Sequence, residues 1–194
     1  MYPSVEIYIE DARNFQRHGQ YDLAIETLWR ARECDIQHVF EAEIQKLLSF
    51  NYRKLGKFDL ALLHINAAVN LTKNKDKAKE EYAICLMNKG VLYEEIGDSE
   101  KALECYLPAL EIFTNLLSAK PEKHGIIINA LLTIGLLYYR QKQYLDAKEH
   151  VECALPYFGY NKETDRRHLK VKEILEEIDA MDNWKCMIHK NLFC

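Results

Sequence analysis

Apolar and small residues recur along the chain in a spacing that changes phase at short turn signals. The clearest instance is Leu86 to Ala109. There Gly90 and Tyr93 share one helical face, Gly97 ends the pattern, and Ala102, Tyr106 and Ala109 resume it on a second helix. Apolar positions three and four apart predict helices, and a glycine between two such runs predicts a tight reversal. Gly90 falls where two helices approach closely, Tyr93 plugs the hairpin, Ala102 and Ala109 face the first helix, and Tyr106 is expected to fill the gap between hairpins.

The alanine after each turn recurs at Ala24, Ala61, Ala102 and Ala147, with separations of 37, 41 and 45 residues, so four hairpins are predicted. In the first hairpin Tyr8, Ala12, Phe15, Gly19, Tyr21, Leu28 and Ala31 support the pattern; in the second, Leu48, Ser49, Tyr52, Gly56, Phe58, Ile65 and Ala68 do. The fourth has Leu131, Gly135, Tyr138, Tyr144, Val151 and Ala154, with Lys142 where the turn glycine stands elsewhere. That turn must close without a left-handed glycine or adopt another geometry. The expected hairpins cover about 3–35, 38–73, 76–118 and 121–158.

This repeat resembles the tetratricopeptide repeat family, whose period is about 34 residues. The excess lengths of 3, 7 and 11 residues approximate whole helical turns, so the helices can lengthen in phase. Asn74–Tyr82 is expected to extend the third hairpin's first helix backward, and Pro121 to start the fourth's at a position where a missing N–H costs nothing. Lengthened repeats of this kind are similar to those of kinesin light chains and related scaffold adaptors. The resemblance implies an all-α, right-handed superhelical stack of hairpins that holds another protein.

Pro108 lies inside the third hairpin's second helix and predicts a kink. Beyond Gly159, Val171, Ile174, Leu175, Ile178 and Met181 have helical spacing, which predicts an amphipathic capping helix over about 162–182. The tail 183–194 carries Trp184, Met187, Ile188, Leu192 and Phe193. It is expected to pack on the cap, lie in the groove, or belong to a further repeat.

Low glycine and proline counts, 7 and 4 of 194 residues, favour a nearly all-helical chain. A net charge of −4 with both signs interleaved excludes a global basic field for nucleic acid or an anionic membrane. With no apolar run of membrane-spanning length, and a start that is neither basic nor followed by an apolar core, a cytoplasmic or nuclear setting is expected. The six cysteines lack a CxxC pair and are read as free thiols in a reducing compartment.

No nucleotide-binding, metalloprotease or nucleophile-elbow motif is present, so no enzyme and no cofactor are expected. Cys186, His189 and Cys194 give at most a partial zinc set, which is expected not to bind metal. The family's chaperone-tail clamp is expected to be absent, because Ile9, Arg13 and Leu47 fill positions where it would have lysine or asparagine.

The exposed positions of the first helices then define an expected groove. Arg13, Arg17, Lys46, Phe50, Arg53 and Lys54 come from the first two hairpins, Met87, Asn88 and Val91 from the third, and Asn129, Leu136, Tyr139 and Arg140 from the fourth. Five cations should gather at one end, only partly offset by Glu10 and Glu43, and receive an acidic segment of a protein or peptide partner. Val91 and Leu136 should take its apolar anchors, while Asn88 bonds its backbone. The alternative is a structural subunit that assembles through its convex face and tail. RNA binding is disfavoured because only Phe50 and Tyr139 could serve as stacking platforms.

Overall fold

The computed structural model describes residues 4–159 and 165–192, and the side chains of these except at Asp76 and 181–192. Helix α1 (Val5–Arg17) reverses into α2 (Tyr21–Cys34), and α3 (Glu41–Lys54) into α4 (Phe58–Thr72). Next come α5 (Lys79–Ile96) with α6 (Ser99–Leu117), and α7 (His124–Arg140) with α8 (Tyr144–Glu152). A last helix, α9, covers Arg166–Leu192. No strand occurs among the described residues, and the fold is the expected all-α series of antiparallel hairpins.

One hydrogen-bond pattern closes all four turns. Gly19, Gly56 and Gly97 have left-handed φ of 71°, 71° and 91°, and Lys142 takes the same conformation at 62°. The next residue donates its N–H to the carbonyl five back: Gln20 to Phe15, Lys57 to Tyr52 and Asp98 to Tyr93 at 2.9 Å, and Gln143 to Tyr138 at 3.0 Å. A left-handed residue followed by this long bond satisfies the orphan carbonyls at a helix end. The fourth turn therefore keeps the shared geometry and takes on the backbone strain of a side chain.

Small residues on the first helices admit larger ones from the second. A Cβ on Gly90 would lie 2.3 Å from the Tyr106 ring, and one on Gly135 would lie 2.6 Å from Val151. Tyr106 is fully buried, and its hydroxyl donates to Glu94 at 3.1 Å. Its ring thus packs across its own hairpin onto Gly90. In the second hairpin the equivalent small residue, Ser49, turns its buried hydroxyl to the Ala61 carbonyl at 2.8 Å.

The chain divides into two compact units, Met1–Ala109 and Leu110–Cys194. Helix α6 continues through Pro108 to Leu117, so the proline does not end it. In the first unit, α2 packs on α3 and α4 on α5, burying Leu28, Ile44, Leu48 and Ile65. Between its first two hairpins the Asp35 carboxylate accepts from Val39 N at 3.0 Å and Phe40 N at 2.8 Å, next to His38 at φ 52°. Beside that connection runs a polar chain that is buried at Glu41, Gln45 and His64. Arg32 bonds Glu41 at 3.0 Å, the Gln45 amide donates to Glu41 at 2.7 Å, and His64 Nδ1 lies 2.6 Å from Gln45 Oε1.

In the second unit, α8 packs on α7 and on α9. The predicted cap residues Val171, Ile174 and Ile178 are buried, as is His168. Helix α9 is continuous past position 182, where the sequence suggested a separate tail, and reaches Leu192. The packing of the tail's apolar side chains lies outside the described residues. Short 3-10 turns at Asp76–Ala78 and Pro121–Lys123 lead into α5 and α7; the proline opens its turn as expected, whereas the run from Asn74 becomes helical only at Asp76 and α-helical at Lys79. A third, at Leu155–Tyr157, follows the shortened α8.

Candidate partner-binding face

In the first unit the first helices α1, α3 and α5 are linked by side chains. Lys46, Phe50 and Arg53 are spaced i, i+4 and i+7, which puts them in one stripe along α3. Phe50 is 36% exposed, and its ring meets Tyr21 edge-on at 6.4 Å. The Arg53 guanidinium stands 5.3 Å from the Phe50 ring centre, and the Lys54 ammonium 5.7 Å, both within range of the ring's negative face. The stripe is an aromatic surface bordered by cations.

The charges differ from the expectation of five loosely offset cations. Arg13 pairs with Glu43, Lys46 with Glu81, and Arg53 with Glu95, each crossing from one first helix to the next. Arg17 pairs with Glu10 at 2.7 Å inside α1. Long basic side chains span the gap between neighbouring helices and meet carboxylates on the facing edge, so the field at this end is largely compensated. The sequence reading set Glu10 and Glu43 against these cations but neither Glu81 nor Glu95. The signal was available: once α3 and α5 are aligned, acids on the later helix fall opposite bases on the earlier one.

Of the other first-unit positions, Met87 and Val91 are half-buried and Asn88 is exposed. The chemistry they offer is a shallow apolar strip with one amide.

In the second unit α9 engages the face of α7. The Arg167 guanidinium donates to the Asn129 side-chain oxygen at 3.4 Å and to the Gly125 carbonyl at 3.3 Å, while Asp165 holds it at 2.6 Å. Tyr139 donates its hydroxyl to Glu177 at 2.7 Å, which pushes the phenol's pKa up. Both contacts join residues 38 apart, so α9 runs parallel to α7, as a further first helix would. Asn129 and Tyr139 therefore serve α9, while Leu136 of the predicted set is half-buried and Arg140 exposed.

Burial pushes the Cys85 thiol up to about 11, away from a reactive thiolate, and the Cys105 thiol is raised for the same reason. Among the described residues no group of His, Cys, Asp and Glu side chains is placed to hold a metal ion, and no helix is long and apolar enough to cross a membrane. The partial zinc set of Cys186, His189 and Cys194 lies outside the described side chains.

Comparison with known proteins matches a family model, the tetratricopeptide repeat, over residues 40–115 and 82–158. No curated protein gives a significant match. Among solved structures, apo RapI is similar at 20% identity and TM-score 0.76, covering 92% of this chain and 64% of its own. A Podosopora anserina protein described as a kinesin light chain, with nearly identical TPR-like repeats, has 17% identity and TM-score 0.68 and covers 93% and 96%. BtubC from P. vanneervenii has 19% identity and TM-score 0.67, covering 93% and 78%. At these identities the likeness is one of fold. The first hairpin lies before the matched segments, yet its turn has the same geometry as the other three.

Proposed function

Because the chain belongs to the tetratricopeptide repeat family, a family of protein-interaction repeats, we propose that it is a non-enzymatic adaptor whose first-helix face binds a segment of a partner protein. The observation that carries this reading is the Lys46–Phe50–Arg53 stripe, a partly exposed aromatic ring bordered by cations on a rigid helix. Such a surface accepts an acidic segment with an apolar residue to lay on the ring. Met87 and Val91 extend the apolar contact, and Asn88 supplies an amide for the segment's backbone. Leu136 and Arg140 are a separate candidate contact on the second unit. Cytoplasm or nucleus is the proposed setting.

Exposed ion pairs contribute about 0–1 kcal/mol each, so the charges govern association rate and salt response, while the apolar contacts set most of the affinity. Arg53→Glu with Lys54→Glu should slow association with an acidic peptide about tenfold and flatten its salt dependence. Val91→Asp should leave the on-rate near its original value and speed dissociation. An unchanged on-rate and salt slope in the charge-reversed protein would show that the basic positions form an ordinary solvated surface.

A second reading, a structural subunit that assembles through its second-helix surface, draws on the exposure of Leu60 (39%) and Leu63 (61%) on α4. Light scattering across a concentration range separates the two. A monomer that gains mass only with a partner supports the adaptor, and mass that rises with concentration supports the subunit.

A further inference from the structure

The three ion pairs that bridge first helices share one sense. Arg13 of α1 reaches Glu43 of α3, while Lys46 and Arg53 of α3 reach Glu81 and Glu95 of α5. The carboxylate always sits on the later helix. Lys46 and Arg53 are each held by an acid of the next first helix, and Arg13 meets both Glu43 of the next helix and, at 3.6 Å, Glu10 one turn away on its own.

We infer that Glu43, Glu81 and Glu95 are internal stand-ins for a ligand's carboxylates, and that they restrict the face to a segment with two acidic residues four apart and an apolar one midway between them. This rests on the acidic-segment reading above and deepens it. A ligand with one carboxylate only exchanges one ion pair for another, with little net gain. Two carboxylates on one backbone change the balance, because the second exchange is intramolecular and its effective concentration is set by the tether.

The required spacing follows from α3. Lys46 and Arg53 are seven residues apart, so about 10 Å of helix separates them at 1.5 Å per residue. An extended segment turns alternate side chains to one face, so acids four residues apart with an apolar residue midway all meet the stripe and span about 13 Å at 3.3 Å each, a difference the long Lys46 and Arg53 side chains take up. Phe50 lies between the two cations on the same stripe, where the residue between the ligand's acids would rest.

Two labelled peptides of identical composition test this by fluorescence anisotropy at low salt. One carries glutamates four apart with a leucine midway in a Gly/Ser background; the other carries the two glutamates adjacent. They are titrated with the original protein, with the triple variant Glu43→Gln, Glu81→Gln, Glu95→Gln, and with a control triple variant Glu26→Gln, Glu33→Gln, Glu104→Gln. The control changes the charge equally on the second helices α2 and α6. Circular dichroism and urea midpoints confirm that all three proteins are folded alike.

The original protein should prefer the spaced peptide. Freeing the three cations should tighten that peptide about tenfold and shrink the preference, while the control stays within about twofold. Equal tightening by both triple variants, or no preference for spacing in the original protein, would overturn the inference while leaving acidic-segment binding intact. Failure of both peptides to bind any of the three proteins would overturn the acidic-segment reading itself.

Discussion

Lys142 carries a cost that the other three turns avoid. A left-handed backbone costs a non-glycine residue about 1–2 kcal/mol, and glycine gives back about 0.5–1 kcal/mol through the freedom of the unfolded chain. Lys142→Gly should therefore stabilise the protein by up to about 1 kcal/mol and raise the melting temperature by about 2–4 °C, as calorimetry can measure. His64 carries a different cost. It is 6% exposed, and burial, followed by the nearby Arg32 charge and opposed by Glu41, holds its pKa below the ordinary 6.5. Its Nδ1 donates to Gln45, whose amide is committed to Glu41, and its ring stacks on Tyr52 at 5.2 Å with Trp29 edge-on at 5.8 Å.

The sign of the pH effect follows. The unfolded chain takes up the imidazole proton near pH 6.5 and the folded chain only below that, so stability is full above 6.5 and falls as pH drops toward the folded value. Urea midpoints at pH 7.5 and 5.5 should fall further in the original protein than in His64→Gln. Equal falls would place the acid sensitivity elsewhere. This joint could not be read from the sequence, because Arg32, Glu41, Gln45 and His64 come from three helices and each alone looks like an ordinary surface residue.

Among the elements, hairpins were legible where a small residue, a turn glycine and a following alanine coincide, because each has a separate steric reason. The third hairpin shows this most sharply, with the Tyr106 ring against bare backbone at Gly90. Gly90→Ala should force the fully buried ring aside and cost about 1–3 kcal/mol, the usual range for overpacking, despite alanine's better helix propensity. A rise in the urea midpoint would show that the ring moves freely. The fourth turn was less legible, since lysine does not announce a left-handed conformation; the surrounding pattern of Tyr138, Tyr144 and Ala147 imposes it. The end of α9 was also missed. Nothing between Ala180 and Leu192 breaks a helix, but the change from charged to apolar composition near position 183 suggested a boundary that the backbone does not make.

For the molecule as a whole, sequence placed residues on the first helices correctly but could not say what each would meet. The partners of Lys46 and Arg53 were missed because they lie 35 and 42 residues away, beyond any local pairing rule. Asn129 and Tyr139 were assigned to a ligand because α9 was read as covering apolar surface alone, whereas Arg167 and Glu177 also give it polar bonds to α7. The proposed face is narrower than the sequence suggested: a stripe on α3, flanked by α1 and α5, with its cations paired across the helices. Hydrogen exchange read by mass spectrometry, with and without the spaced diacidic peptide, tests that most directly. Slowed exchange should concentrate in α3 between Glu43 and Lys54, with lesser effects at Arg13–Arg17 and Glu81–Glu95, and should leave α2 and α4 unchanged. Protection confined to α2 and α4, or to α8 and α9, would contradict the account.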